Sequence, residues 1–367
     1  MLIYLLMTDF KYLFYPGPSK PYAQISGYVS DAIQKNILGL NHRSSQFVEI
    51  VRQTRKMLGQ KWKIPKNYRV FFCASATECW EIVLQNWVLK ENIHVFNGAF
   101  GEKWADYAAQ LCPRAKIKCF PFGIEERLPT HFQGECDSVI CLTHNETSNG
   151  TYLPEECILE IKKNNPDALI ALDATSSMGG FNLHWQLGDI WLASVQKCIG
   201  LPAGMALLIC SERAIERALQ INLSQHYNSI TRLEANMQQF QTTHTPNTLG
   251  IYLLYRLLQD LPPLAEQAKH LQIRAASLYS FFDNEIDLLS PLVQNPSLRS
   301  PSVITLSAQV EVIQKIKRKA EENTILLGNG YGTWKNTTIR IANFPAINDS
   351  DFDFLKDFFS TLNLGST

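Results

Sequence analysis

Asp173 and Lys197 are the residues whose types and settings could do covalent chemistry. Each closes a short apolar run: Leu-Ile-Ala-Leu at 169–172 leads into Asp173, and the run at 190–195 leads through Gln196 into Lys197. Runs of this length between turn residues predict buried strands. In a sheet with helices on both faces, parallel strand ends converge on one edge, where ligands bind. A carboxylate and an amine delivered to that edge suit an aldehyde-bearing pyridine ring. The amine condenses with the aldehyde, and the acid keeps the ring nitrogen protonated so that the ring accepts electrons. An Asp at a strand end is more often a turn or capping residue, and a Lys after a strand more often solvated. The setting of Lys197 turns the choice. Val195 and Ile199 flank it, Gly-Leu-Pro-Ala-Gly follows at 200–204, and another apolar run begins at 205. An amine sunk among apolar groups is disfavoured as a cation and gains nucleophilicity.

The chain that must place these two groups has 367 residues, enough for a large core and about two domains. Hydrophobic residues make up 46% and charged ones 19%, an ordinary globular balance. With 34 basic and 34 acidic residues, no net charge calls for nucleic acid or an anionic membrane. The basic run at 315–319 reads as the solvated face of a helix. Nine cysteines stand singly with no Cys-x-x-Cys pair, which argues against a disulfide framework and a zinc site and fits a reducing cytoplasm. The apolar start at 1–7 is too short to span a bilayer and lacks the marks of a cleaved leader.

Along the chain, Tyr15-Pro16-Gly17-Pro18 makes a rigid turn where an extended arm enters the main domain. His42 and Arg43 precede a helix expected over 46–58, capped by Ser44 or Ser45; they form either an anion trap or surface decoration. A strand at 69–73 runs through Ala74-Ser75-Ala76-Thr77-Glu78 into a helix near 78–90. Ser75 and Glu78 have capping-box spacing, and the same strand, turn and helix start can cradle a phosphate. After a strand at 93–96, Gly98 and Gly101 bracket Phe100, an aromatic that either packs in the core or lies flat against a ring, with Trp104 the neighbouring candidate. Strands near 116–120 and 137–142 follow, the second entering the polar loop 143–150 with a turn at Asn149-Gly150. The run 205–209 is expected antiparallel, and residues 242–248 cap a helix over 246–259. From about 256 helices near 262–283, 309–322 and 349–361 alternate with strands at 302–307 and 337–342. On the last strand Arg340 is the one arginine able to point inward, where a guanidinium suits a carboxylate, although an arginine on a strand is more often solvated.

Asp-Ala-Thr-Ser-Ser at 173–177, Ser-Val-Gln-Lys at 194–197, Gly-Leu-Pro-Ala-Gly at 200–204 and Asn-Glu-Thr at 145–147 resemble the class V aminotransferases, and among them those acting on phosphoserine. The resemblance spans nearly the whole chain. It implies an α/β fold of pyridoxal-phosphate fold type I: a large domain at 16–255 with a mixed, mainly parallel seven-stranded sheet, and a smaller C-terminal α/β domain at 256–367 joined by the arm 1–15. It implies pyridoxal 5'-phosphate attached to Lys197, with Asp173 at the ring nitrogen. Phe100 would lie on the ring face, Thr147 at the ring oxygen, and Ser75, Ala76, Thr77 and Gln196 around the phosphate. His244 and Thr245 would reach the neighbouring subunit's cofactor in a homodimer with shared sites. His42 and Arg43 would take the substrate's phosphate or distal carboxylate, and Arg340 its α-carboxylate. The implied reaction is transamination between phosphoserine and 2-oxoglutarate in serine biosynthesis, with amino acid and 2-oxo acid as the partners. Three departures stand out. Thr77-Glu78 occupies a place where some members carry arginine, His244 replaces an asparagine, and Gly330 to Lys335 replaces a second His-Arg pair. These leave an alanine- or serine-glyoxylate aminotransferase as the alternative, and a non-catalytic cofactor-binding protein as the distant one.

Overall fold

Leu169–Asp173 and Ile190–Ser194 form adjacent parallel strands with Asp173 opposite Leu192, in a computed structural model that describes residues 10–362. The apolar start at 1–7 lies outside the described residues. Val139–Thr143, Glu91–Phe96 and Lys116–Pro121 extend the sheet in parallel beyond Leu169–Asp173. On the other side Ala206–Cys210 runs antiparallel both to Ile190–Ser194 and to the edge strand Arg69–Cys73. This is the expected seven-stranded, mainly parallel sheet. The one antiparallel strand follows from chain length: the return from Ser194 to Ala206 is too short for the crossover a parallel partner needs. The central strands are buried on both faces, which is why they read as unbroken apolar runs rather than as alternation.

Helices cover both faces, and their starts are written locally. Ser44 caps Ser45–Lys61 through the Phe47 N–H at 3.3 Å, and Ser75 caps Ala76–Trp87 through the Glu78 N–H at 3.0 Å. The second helix begins two residues earlier than expected and stops at Trp87, where Val88 turns extended. The helix expected from 246 is Thr248–Asp260. Asn247 is its cap, accepting from the Gly250 N–H at 2.8 Å, so Pro246 stands before the helix. Trp87, Trp104 and Trp191 are fully buried in this core, and burying a large apolar side chain contributes ~1.5–3 kcal/mol.

A second sheet runs Tyr12–Phe14, Ile325–Asn329, Thr338–Ala342, Val303–Ser307, Ser290–Pro291 in spatial order. Tyr12–Phe14 lies parallel to Ile325–Asn329, so the chain's entry is stitched to a strand more than three hundred residues later. This sheet has its own apolar cluster, which includes Phe14, Phe282, Phe344 and Phe352. The helix Leu264–Asn284 joins the two cores: Leu264 and Leu271 pack in the first, Leu278 and Phe282 in the second. The sheets also meet through polar bonds beside the strand ends. The Ser302 hydroxyl donates to the Ser176 carbonyl at 2.6 Å, and the Ser300 N–H to the Gly150 carbonyl at 2.8 Å. No described helix is long and apolar enough to cross a membrane.

Candidate active site

The strand ends at Thr143, Asp173 and Ser194 open on a cavity of about 250 Å³, closed on the other side by Tyr15 to Pro18, Tyr331 and Arg340. Lys197 lies at its floor, 7% exposed. Its amine donates to Thr147 Oγ1 at 2.8 Å and Ser176 Oγ at 3.1 Å, and sits 5.0 Å from the centre of the Phe100 ring. Burial pushes the amine down to about 8, and the Asp173 and Glu146 carboxylates offset part of that effect. Gly17 passes so near that a Cβ there would stand 3.1 Å from Lys197 Cε, and its φ of +154° favours glycine.

Asp173 is 4% exposed. One carboxylate oxygen accepts from the Thr175 N–H at 2.8 Å, the other from the Trp80 indole N–H at 2.9 Å. Beside it, the first turn of Ala76–Trp87 points at the cavity. Ala76 and Thr77 line the wall, and the Ala76 N–H donates to Ser194 Oγ at 2.7 Å. Ser75 does not line the cavity; its hydroxyl is engaged as the helix cap. Gln196 lines it next to Lys197.

Phe100 sits in the first turn of the helix Ala99–Leu111, whose exposed N–H groups are held from the loop below. Ser148 Oγ accepts from Ala99, and the buried Glu146 carboxylate accepts from Phe100 and Gly101 at 3.2 and 3.3 Å. An acid at a helix start complements the dipole there, and burial raises the Glu146 pKa above the usual carboxylate value. Tyr331 stacks on Phe100 at 5.1 Å between centroids. Trp104, the other aromatic candidate, is 1% exposed and packs in the core against Trp80, not on the cavity.

Arg340 is 4% exposed and lines the cavity. Its guanidinium donates to the Asn329 and Thr147 carbonyls at 2.6 and 2.9 Å, both neutral oxygens. A buried cation held, among the described residues, only by neutral acceptors leaves room for an anion. Thr143 Oγ1 and Thr175 Oγ1, on the same cavity, are buried without a partner among the described residues. Ligand-seeking hydroxyls of this kind are what a bound polar ring and phosphate satisfy.

His42, Arg43, His244 and Thr245 do not line this cavity. His42, Arg43 and His244 lie near one another instead: burial, then Arg43 and His244, lower the His42 pKa, and the His244 ring meets Tyr227 edge-on at 5.5 Å. The sequence reading missed Trp80, Ser176, Glu146 and Tyr331 as site residues. A hydroxyl three positions past Asp173 could have suggested Ser176; nothing local marked Trp80.

A model of the family described as Aminotransferase class-V matches residues 11–338. A phosphoserine aminotransferase from Corynebacterium glutamicum (strain R) is 28% identical over 375 residues, covering 95% of this chain and 96% of its own. The crystal structure of a phosphoserine aminotransferase from Cytophaga hutchinsonii superposes with a TM-score of 0.90 at 31% identity, over 97% of this chain and 100% of that one. A pyridoxal-phosphate-bound phosphoserine aminotransferase from Trichomonas vaginalis has the same fold, with a TM-score of 0.80 at 17% identity over 94% and 98% of the two chains.

Proposed function

This chain belongs to the class V aminotransferases, and from that premise we propose that it moves an amino group between phosphoserine and 2-oxoglutarate with pyridoxal 5'-phosphate held at Lys197. The observation that carries this reading is a single cavity faced by a submerged amine, a carboxylate and a guanidinium held, among the described residues, only by neutral carbonyl oxygens.

The cofactor fits the residues present. Lys197 offers an amine with a lowered proton affinity, Asp173 an oriented carboxylate, and Ala76 and Thr77 a helix start for a phosphate. Thr143 and Thr175 offer hydroxyls that have no protein partner among the described residues. Pyridoxal phosphate supplies an aldehyde to carry the amino group and a ring to accept the electrons left at Cα. Lys197 would hold the cofactor and its free amine would move the Cα proton, with Thr147 and Ser176, which accept from that amine here, orienting it. Asp173 would hold the ring-nitrogen proton, Phe100 would flank the ring, and Ala76, Thr77 and Gln196 would anchor the phosphate, while Ser75, expected among them, caps the helix that presents Ala76 and Thr77. Arg340 would grip the substrate's α-carboxylate with the guanidinium donors left over from the Asn329 and Thr147 carbonyls.

Positions off the cavity support a two-fold dimer. His42, Arg43, His244 and Thr245 reach a site if they serve a second copy's cavity, the first pair at the substrate's distal anion and the second at the cofactor. The division into 16–255 and 256–367 with the arm 1–15 suits such an enzyme, the smaller part carrying Arg340. Nine unpaired thiols suit the cytoplasm, where serine biosynthesis would use the product.

One observation favours the alternative, an alanine- or serine-glyoxylate aminotransferase. Tyr331 occupies the cavity mouth in the loop where a second His-Arg pair is expected, and Thr77 stands at the cup instead of arginine. Steady-state kcat/KM with phosphoserine, serine and alanine as donors decides. Phosphoserine ahead by tenfold or more supports the proposal; equal or better use of serine or alanine supports the alternative.

A further inference from the structure

We infer that Trp80 is a positioning residue for the reaction: its indole N–H sets and holds the Asp173 carboxylate toward the cofactor's ring nitrogen. The inference rests on the reading of Asp173 given above and adds to it a group that no local motif marks.

Asp173 has one donor on each oxygen, the Thr175 backbone N–H and the Trp80 indole N–H. The terminal torsion of an aspartate is broad and roughly two-fold, so a single donor leaves the carboxylate free to turn. Two donors on opposite oxygens fix its plane, and each oxygen keeps a lone pair for a further bond. Trp80 is itself enclosed by packing. It is 3% exposed, stacked on Trp104 at 5.7 Å and 13°, with Tyr107 edge-on at 6.1 Å. Trp104 is in turn closed off by the edge of His94 at 5.7 Å.

Trp80 also lies four residues after Ala76 on the helix Ala76–Trp87, the same face of the same rigid element. One end of that helix offers N–H groups to a phosphate; one turn later it holds the carboxylate meant for the ring nitrogen. The spacing between the two anchors is therefore set within one helix, which suits a rigid ligand gripped at both points.

The test compares pyridoxal phosphate dissociation constants for the wild type, Trp80→Phe, Asp173→Asn and the double variant. Circular dichroism of the cofactor-free chains checks folding. Phenylalanine keeps an aromatic ring against Trp104 and removes the N–H together with part of the indole's volume, a packing loss that the Asp173→Asn background shares and the comparison therefore subtracts. Losing a hydrogen bond to a charged group should weaken retention about tenfold. It should also lower the pH at which the bound ring nitrogen loses its proton, read from the visible spectrum. In the Asp173→Asn background the same change should matter less than twofold. Trp80→Phe within twofold of wild type, or an equal loss in both backgrounds, overturns the inference and leaves Asp173 in its role. Undiminished retention by Asp173→Asn alone overturns the reading of Asp173 itself, and the inference with it.

Discussion

The titration of Lys197 offers the sharpest quantitative consequence of the site. Burial takes its amine from 10.5 to about 8. At pH 7 about one chain in ten then carries the neutral amine, against roughly one in three thousand for a solvated lysine. The fold thus multiplies the reactive form by a few hundred, at a cost of about 3 kcal/mol in differential stabilisation of the cation. Asp173 and Glu146 oppose the shift, Asp173 more strongly. The initial rate of covalent pyridoxal phosphate capture by the cofactor-free enzyme, followed from pH 5.5 to about 10.5, should rise with a midpoint near the folded value. Asp173→Asn should move the midpoint down, and Glu146→Gln should move it down by less. Stability follows with a definite sign. The folded-state value lies below the unfolded one, so between about 8 and 10.5 the unfolded chain binds more protons, and folding is favoured as pH rises through that window. Lys197→Met should lack this rise in urea-unfolding experiments. A capture midpoint near 10, or an upward move in Asp173→Asn, would refute the electrostatic reasoning.

Other outcomes follow from named contacts. Replacing Arg340 by alanine removes the guanidinium facing the cavity and should reduce kcat/KM for the amino donor about 10- to 100-fold, mostly through KM, with cofactor retention little changed. Gly17→Ala places a Cβ 3.1 Å from Lys197 Cε at a φ of +154°. It should slow cofactor capture and destabilise the chain by about 1–3 kcal/mol, read by capture kinetics and chemical unfolding. If Arg43 serves a partner's cavity, hybrids of Lys197→Ala and Arg43→Ala chains contain one intact site and should recover activity that neither parent has. Failure to recover would place Arg43 in its own chain's work or in none.

Much of the architecture was legible because the signals are local. Buried parallel strands declare themselves as unbroken apolar runs, and Ser44 and Ser75 mark helix starts by their own hydroxyls. Asp173 and Lys197 were legible from their places after apolar runs, Thr147 and Arg340 from the family resemblance, and the fold brings all four to one cavity. What stayed hidden depends on distant partners. Tyr12–Phe14 is three residues long and becomes a strand only by pairing with Ile325–Asn329. Phe100 and Trp104, four apart, share one helix face; the first turn reaches the cavity and the next is already in the core, a difference no pattern encodes. Trp80 reads as one more apolar helix residue until Trp104 fixes its ring and Asp173 meets its N–H.

Borohydride reduction of the purified protein loaded with pyridoxal phosphate, followed by peptide mapping, tests the central assignment most directly. A reduced cofactor adduct on the peptide carrying Lys197, and none in Lys197→Ala, is the predicted result. An adduct on a different lysine in the wild-type protein would contradict it.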